Sequence, residues 1–208
     1  MNFHNTRVSR YNACVKYNVV FMVGPQGSGK GTQAKALAEK LGFFHWEMSA
    51  MIREEKDMKF ADGRTVGDVI NAGTLLNDDQ IIEIFHKRIP AYPKDAGIIF
   101  DGVPRRLGQA QFIMDYLKKQ GRTSFVTIFL DIPREESIKR LMLRAAIEHR
   151  VDDTPERIDY RLKQYQEATV PMLDYLRTCT VFLDVDGSPS IPEVTKTIME
   201  ALEIAYQT

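Results

Sequence analysis

The strongest constraint on the fold is a run of glycines between an apolar segment and a helical pattern. Residues 19–23 are continuously apolar, residues 24–34 read GPQGSGKGTQA, and residues 30–41 repeat apolar side chains at helical spacing. This order predicts a buried strand, a glycine loop and a helix. The backbone N–H groups of such a loop can surround a phosphate, and Lys30 adds a mobile positive charge.

The match to the phosphate-loop pattern G-x-x-x-x-G-K-[ST] is imperfect. Gly31 stands where the pattern has a hydroxyl residue, and Thr32 follows one position later. Because a strand precedes the loop, a helix follows it and the lysine is in register, we expect a nucleotide phosphate site. The alternative interpretation is a strand-to-helix turn without a ligand.

Further apolar runs and helical patterns alternate along the rest of the chain. The apolar runs lie at residues 98–100, 125–130 and 181–183. The helical patterns lie at about residues 78–89, 107–120, 134–145, 155–177 and 190–205. Alternating strands and helices predict an α/β fold, a three-layer sandwich with a central parallel sheet and ligands beyond the carboxyl ends of its strands. The stretches 45–77 and 144–153 are least regular, so insertions or moving lobes are expected there.

The composition is that of a globular chain without a global charge. Among 208 residues, Lys plus Arg and Asp plus Glu both total 28, so nothing favours nucleic acid as a partner. No apolar run approaches the roughly 20 residues that span a bilayer, so no membrane partner is expected. The two cysteines favour reduced thiols in a cytoplasmic compartment, and we expect a monomer. Cys14 and Cys179 are too few for a structural zinc site. Residues 1–17 are expected to form a short N-terminal extension rather than a transit peptide.

A carboxylate ends the second apolar run, and basic residues follow it directly. Residues 97–101 read GIIFD, an apolar strand whose terminal acid would face a magnesium ion at the carboxyl edge of the sheet. The alternative is that Asp101 caps the next turn. Residues 101–111, DGVPRRLGQAQ, add two arginines and a glutamine at this strand end, which a nucleotide switch protein would not need.

These motifs together resemble those of the adenylate kinase family. GPQGSGKGTQA and DGVPRRLGQAQ are similar to its loops G-x-P-G-S-G-K-G-T-Q and D-G-F-P-R-T-x-x-Q, and in that family the hydroxyl residue follows an extra glycine, as Thr32 does here. The resemblance runs from about residue 18 to the end, through RLMLR at 140–144 and RVDDTPER at 150–157. It implies a P-loop nucleoside triphosphate hydrolase type of fold. The kinase domain would span 18–208, with a nucleotide-acceptor lobe at about 47–76 and a short lid at about 143–151.

The resemblance also implies a donor site for ATP and a set of catalytic residues. ATP would be bound by Gly27, Ser28, Gly29, Lys30, Gly31, Thr32, Arg140 and Arg144. Arg140 would lie against the adenine, and Asp101 would hold Mg²⁺ through water. The catalytic residues would be Lys30, Arg105, Arg144, Arg150 and Arg161, since cationic stabilisation supplies most of the catalysis in phosphoryl transfer. Asp152 and Asp153 would hold these arginines or anchor the lid, whereas Arg106 and Arg157 are expected on a solvated surface.

The acceptor site implied by the resemblance departs from the family pattern. It would comprise Met48, Arg53, Thr74, Leu75, Leu76, Gly102, Val103, Pro104, Arg105, Gln109, Arg150 and Arg161. Arg53 and Arg105 would grip the acceptor's phosphate and Gln109 its base. Where the family usually reads I-S-T-G-D-x-x-R, this chain has Met48, Ser49 and Ala50 in place of the threonine, glycine and aspartate. Met48 either lines the base pocket or packs as core.

The function implied is transfer of the terminal phosphoryl group of MgATP to AMP, giving two ADP. Loss of polar base-reading residues reduces discrimination among bases, so UMP, CMP or a broad range of acceptors is the alternative. A P-loop nucleotide sensor without catalysis, and a small-molecule kinase, are the other classes. The arginines at positions 53, 105, 150 and 161 argue against a sensor.

Overall fold

A computed structural model describes residues 17–72, 76–148 and 154–207. Within these ranges, five parallel strands form one sheet in the order β2-β3-β1-β4-β5. The strands are β1 Val19–Val23, β2 Phe44–Glu47, β3 Ile98–Asp101, β4 Phe125–Asp131 and β5 Val181–Asp186. The predicted α/β architecture with a central parallel sheet is therefore confirmed.

Helices cover both faces of this sheet. Their bounds are α1 Lys30–Leu41, α2 Met48–Glu54, α3 Val66–Asn71, α4 Asp78–Arg88, α5 Leu107–Lys119, α6 Arg134–Glu148, α7 Pro155–Gln164, α8 Val170–Cys179 and α9 Ile191–Gln207. Phe21 and Met22, which are consecutive in β1, face opposite layers because side chains alternate along a strand. Phe21 packs in the cluster that contains α4, α5 and α8, and Met22 in the cluster that contains α1 and α9. The result is a three-layer sandwich. Within the described ranges, no helix is long and apolar enough to cross a membrane.

Strand β2 is not among the predicted strands, and most of it lies in the stretch 45–77, which has the least regular sequence pattern. The strand has four residues and lies at the edge of the sheet, and only Trp46 in it is fully buried. The Trp46 ring centroid lies 5.2 Å from that of Phe85 and 5.5 Å from that of Phe100, so one aromatic side chain anchors the strand. Helix α2 begins at the next residue, which sets its side chains beside the carboxyl end of β3.

The helix predicted over residues 155–177 is two helices. A π-helical turn, Tyr165–Thr169, separates α7 from α8. Pro171 lies in the first turn of α8, and it has no N–H group to continue the α-helical ladder. The helical pattern alone did not predict this turn, which faces the site described next.

Candidate active site

The loop between β1 and α1 is held in a conformation that requires glycine. Gly27 and Gly29 have φ values of 83° and 92°, in the left-handed region. A Cβ on Gly27 would lie 2.9 Å from the carbonyl oxygen of Ser137, whereas a Cβ on Gly29 would meet no atom within 4 Å. The Ser137 hydroxyl donates a hydrogen bond to the carbonyl oxygen of Gln26. The loop is therefore packed closely against α6.

Lys30 folds back over this loop. Its Nζ donates to the carbonyl oxygen of Pro25 at 2.7 Å and lies 3.5 Å from Oγ of Ser28. Desolvation of this half-buried side chain lowers the pKa of Lys30 to about 7. Asp101 opposes this shift, and Arg105 and Arg144 add to it. A polyanion bound in the loop would reverse the shift, because it favours the charged ammonium.

Asp101 lies at the carboxyl end of β3, between the phosphate loop and β2. It is 9% exposed, and its Oδ2 would lie 3.2 Å from a Cβ on Gly31. Nε2 of His45 lies 3.4 Å from the same oxygen. The sequence analysis did not identify His45, although it lies two residues before the end of β2 and so faces the same side as Glu47.

The turn after Asp101 is tied together by hydrogen bonds. The backbone N–H of Arg105 donates to Oε1 of Gln109 at 2.8 Å, and Nε2 of Gln109 donates to Oδ1 of Asp78 at 2.8 Å. Nε of Arg105 donates to the carbonyl oxygen of Gly102 at 2.8 Å. The predicted base reader is thus a buried residue with a protein partner at each end of its amide. Val103 and Pro104 of the same turn are buried.

Arg105 lies close to other charged groups of the site. Desolvation of its guanidinium lowers the pKa of Arg105, although another part of the residue is exposed to solvent. Asp101 opposes the shift and Arg161 adds to it, so α7 brings its arginine near this turn. The Thr169 hydroxyl donates to the carbonyl oxygen of Arg105 at 3.1 Å. The π-helical turn therefore helps to hold the backbone of Arg105 in place.

Helix α2 carries the other predicted acceptor residues. Arg53 is exposed, and its Nη2 donates to Oε1 of Glu47 at 3.3 Å. Met48 is 2% exposed and belongs to the core cluster, close to Gly102, so the core interpretation of Met48 agrees with its burial. Leu76 also joins this cluster. The sequence analysis gave Glu47 no role.

Arg140 connects α6 to the loop between β5 and α9. Its Nη1 donates to the carbonyl oxygen of Gly187 at 2.8 Å, and its Nη2 donates to that of Ser188 at 2.9 Å. Nε of Arg140 donates to Glu136 at 2.7 Å. Arg144 lies one turn further along α6 and acts on the pKa of Lys30.

A cavity of about 40 Å³ lies between these parts. Its lining includes Gly24, Lys30, Gly102, Arg105 and Tyr165. The cavity thus brings Lys30, from the predicted donor half, close to Gly102, Pro104 and Arg105, from the predicted acceptor half. The predicted residues Thr74, Leu75, Arg150, Asp152 and Asp153 lie outside the described residues. Arg106, predicted as solvated surface, is half-buried with Nη1 3.6 Å from Oδ1 of Asp78.

The chain is similar to known proteins over most of its length. The family model for adenylate kinase matches residues 22–181. The adenylate kinase of Prochlorococcus marinus (strain MIT 9211) is 34% identical over 188 residues, which are 90% of this chain and 98% of the relative. That of Thermus thermophilus is 34% identical over 185 residues, or 89% and 97% of the two chains. That of Stenotrophomonas maltophilia is 34% identical over 182 residues, or 88% and 97%.

Proposed function

The chain belongs to the adenylate kinase family, and on this premise we propose that it transfers the terminal phosphoryl group of MgATP to AMP, reversibly, giving two ADP. The observation that carries the proposal is the meeting of Lys30, Asp101 and Arg105 at one edge of the sheet. Asp101 and Arg105 are close enough to act on the pKa of the Lys30 ammonium. Lys30 of the phosphate loop and Arg105 of the turn after β3 line one cavity, and Asp101 precedes that turn at the carboxyl end of β3.

On the donor side, the loop from Gly27 to Thr32 would bind the ATP phosphates through its backbone N–H groups. Lys30 would leave Pro25 and reach the β- and γ-phosphates. Arg140 would lie against the adenine, and its two hydrogen bonds to the loop after β5 support a wall of the adenine pocket there. Arg144 would contact the phosphates from α6.

The residues at this edge fit a magnesium ion. Asp101 presents Oδ2 beside Gly31, and Mg²⁺ in phosphoryl-transfer sites is held by one or two carboxylates together with substrate phosphates and water. Asp101 would hold the ion through water. A bound Mg²⁺ ion would supply positive charge that offsets the negative charge developing on the phosphoryl oxygens.

On the acceptor side, Arg53 and Arg105 would bind the phosphate of AMP. Gly102, Val103 and Pro104 would shape the turn, and Met48, Thr74, Leu75, Leu76 and Gln109 would lie near the base. The lobe over about 47–76 would close over this nucleotide, and the lid over about 143–151 would close over ATP. Closure excludes water, which would otherwise accept the phosphoryl group.

Arginines carry the chemical step in this proposal. The transition state is loose, with charge spread over the three equatorial oxygens, so positioned cations stabilise it without a general base. Lys30, Arg105, Arg144, Arg150 and Arg161 would converge on the transferred group. Arg161 contributes to the lowered pKa of Arg105, and Arg144 to the lowered pKa of Lys30, which supports the closeness of each pair.

A broader acceptor range is the second candidate. It is favoured by the burial of Met48 in the core and by the engagement of both ends of the Gln109 amide with Arg105 and Asp78. These contacts leave fewer polar groups to discriminate among bases. We propose that the enzyme works as a monomer in the cytoplasm.

A coupled assay that offers ATP with AMP, UMP, CMP, GMP or dTMP in turn tests these proposals. The main proposal expects the highest kcat/KM with AMP. Similar values for UMP and CMP would support the broader range, and absence of transfer to every acceptor would leave only nucleotide binding.

A further inference from the structure

The guanidinium of Arg53 has a carboxylate partner at the end of β2. Nη2 of Arg53 lies 3.3 Å from Oε1 of Glu47, and the Ser49 hydroxyl donates to the same oxygen at 2.7 Å. Glu47 is the last residue of β2 and lies in register with Asp101. The contact is a small network in which Ser49 fixes the rotamer of Glu47 and Glu47 in turn engages Arg53.

In this segment the acidic residue stands at a different position from that in the family pattern. Where the family pattern reads I-S-T-G-D-x-x-R, Glu47 stands at the serine and Ala50 at the aspartate. An aspartate at position 50 would lie three residues before Arg53 on α2, where helical neighbours are about 5–6 Å apart between Cβ atoms. This chain lacks that carboxylate and has another three residues earlier, at the strand end. Arg53 therefore keeps an acidic partner, which approaches it from a strand rather than from its own helix.

We propose that Glu47 is a positioning residue for the acceptor phosphate. The inference rests on the proposed function, in which Arg53 binds that phosphate. An arginine has five N–H donors, and Glu47 engages one nitrogen, Nη2, so donors on Nε and Nη1 stay available for a second anion. A long side chain that is held before binding loses less conformational entropy when the ligand arrives.

The exposure of the pair separates this role from a structural one. The side chains of Arg53 and Glu47 are 61% and 40% exposed, and ion pairs as exposed as this contribute little to folding free energy. Loss of Glu47 should consequently change acceptor binding and leave the unfolding temperature unchanged.

The test compares Glu47→Ala and Glu47→Gln with the wild type, using the acceptor that the wild type uses best. Glu47→Ala should raise KM and Kd for the acceptor roughly 3- to 10-fold, because Arg53 must then be ordered during binding. kcat and KM for ATP should stay within about two-fold of the wild-type values, and the unfolding temperature should be unchanged within error. Glu47→Gln should recover most of the affinity, since its amide oxygen can accept from both Ser49 and Arg53.

Glu54→Ala is the matched control. Glu54 is exposed and lies on α2, the helix that carries Arg53, but its Oε2 accepts from Arg88 at 2.5 Å rather than from Arg53. Glu54→Ala removes one negative charge close to Arg53 without removing a partner of Arg53, and it should leave acceptor KM unchanged. In the Arg53→Ala background, Glu47→Ala should have no further effect on acceptor KM. In the protein that keeps Arg53, the double variant Glu47→Ala/Ala50→Asp should recover acceptor KM to within about two-fold of the wild type.

Two results would overturn the inference while wild-type phosphoryl transfer remains intact. The first is an acceptor KM that is unchanged or lowered in Glu47→Ala, since a lowered KM means that the carboxylate competes with the phosphate. The second is an undiminished effect of Glu47→Ala in the Arg53→Ala background. Failure of the double variant to recover would contradict the exchange of positions between residues 47 and 50. Absence of transfer by the wild type would instead contradict the proposed function.

Discussion

The Nζ of Lys30 lies 2.7 Å from the carbonyl oxygen of Pro25, so the lysine closes the phosphate loop on itself. Desolvation there lowers the pKa of Lys30 to about 7, far below the ordinary value of 10.5. The free loop thus holds a lysine that is only partly charged at neutral pH. Bound phosphates favour the ammonium form, and the binding of ATP should therefore be linked to a proton.

Binding of a non-hydrolysable ATP analogue should take up a proton between about pH 7 and 10. The sign follows from the pKa values, because the free protein has lost this proton above pH 7 and the complex keeps it until its own, higher pKa. Calorimetry at pH 8.5 in buffers of different ionisation enthalpy should show an uptake of about one proton. Lys30→Met should abolish this uptake. Binding without buffer dependence in the wild type would contradict the low pKa of the free lysine.

Two glycines of the phosphate loop should respond differently to alanine. Gly27 and Gly29 both have left-handed φ values, so each alanine variant pays a backbone cost of about 1–2 kcal/mol. Gly27→Ala adds a clash 2.9 Å from the Ser137 carbonyl oxygen, which should cost about 1–3 kcal/mol more. Denaturant unfolding of the two variants measures the difference. Equal destabilisation would show that the loop does not pack against α6 as described.

Loss of the Arg140 side chain should weaken the binding of ATP without affecting the binding of the acceptor. Arg140→Ala removes hydrogen bonds to the carbonyl oxygens of Gly187 and Ser188, and KM for ATP should rise about 10-fold while KM for AMP stays constant. Arg177→Ala is the control, because Arg177 makes two hydrogen bonds to Asp184 in β5, the strand that leads into the loop of Gly187 and Ser188. An equal rise in both variants would point to general loosening of β5 rather than to the adenine pocket.

Neighbouring arginines after β3 should differ sharply in importance. Arg105→Ala should lower kcat/KM for AMP by roughly 10³- to 10⁵-fold, the range known for arginines that stabilise phosphoryl-transfer transition states. Arg106→Ala should stay within a few-fold of the wild type, since its nearest described partner is Asp78 at 3.6 Å. Steady-state kinetics of the two variants, with their unfolding temperatures, make the comparison. Near wild-type activity of Arg105→Ala would remove Arg105 from the catalytic group.

The sequence predicted the parts of the fold that have strong local signals. Residues 19–41 combine a continuously buried strand, a glycine loop and an amphipathic helix, and the structure has β1 and α1 at the predicted bounds. Strand β2 was missed because it is a short edge strand with polar side chains at His45 and Glu47. The break between α7 and α8 was missed because the helical pattern over these residues is otherwise regular. Pro171, in the first turn of α8, is the local signal of the break, and the prediction did not take it into account.

The site was predictable as far as its motifs extend in sequence. The loop around Lys30 and the turn after Asp101 were recognised as motifs, and Lys30, Gly102, Pro104 and Arg105 line one cavity of the described structure. The contact of His45 with Asp101 was not predictable, because it depends on the register between β2 and β3. The contact of Glu47 with Arg53 was not predictable, because it depends on β2 ending directly before α2, and β2 was itself missed. The partners of Gln109 were not predictable either. Its side chain is buried, and its amide is hydrogen-bonded to the backbone N–H of Arg105 and to Asp78.

The phosphoryl transfer itself can be followed with ATP that is labelled in its γ-phosphate. ATP labelled in its γ-phosphate is incubated with the protein, Mg²⁺ and unlabelled AMP, and the products are separated over time. We expect label to appear in the β-phosphate of ADP formed from AMP, and Arg105→Ala to slow this transfer far more than Arg106→Ala. Label that appears as inorganic phosphate, with none in ADP, would show that the protein does not transfer the phosphoryl group to AMP.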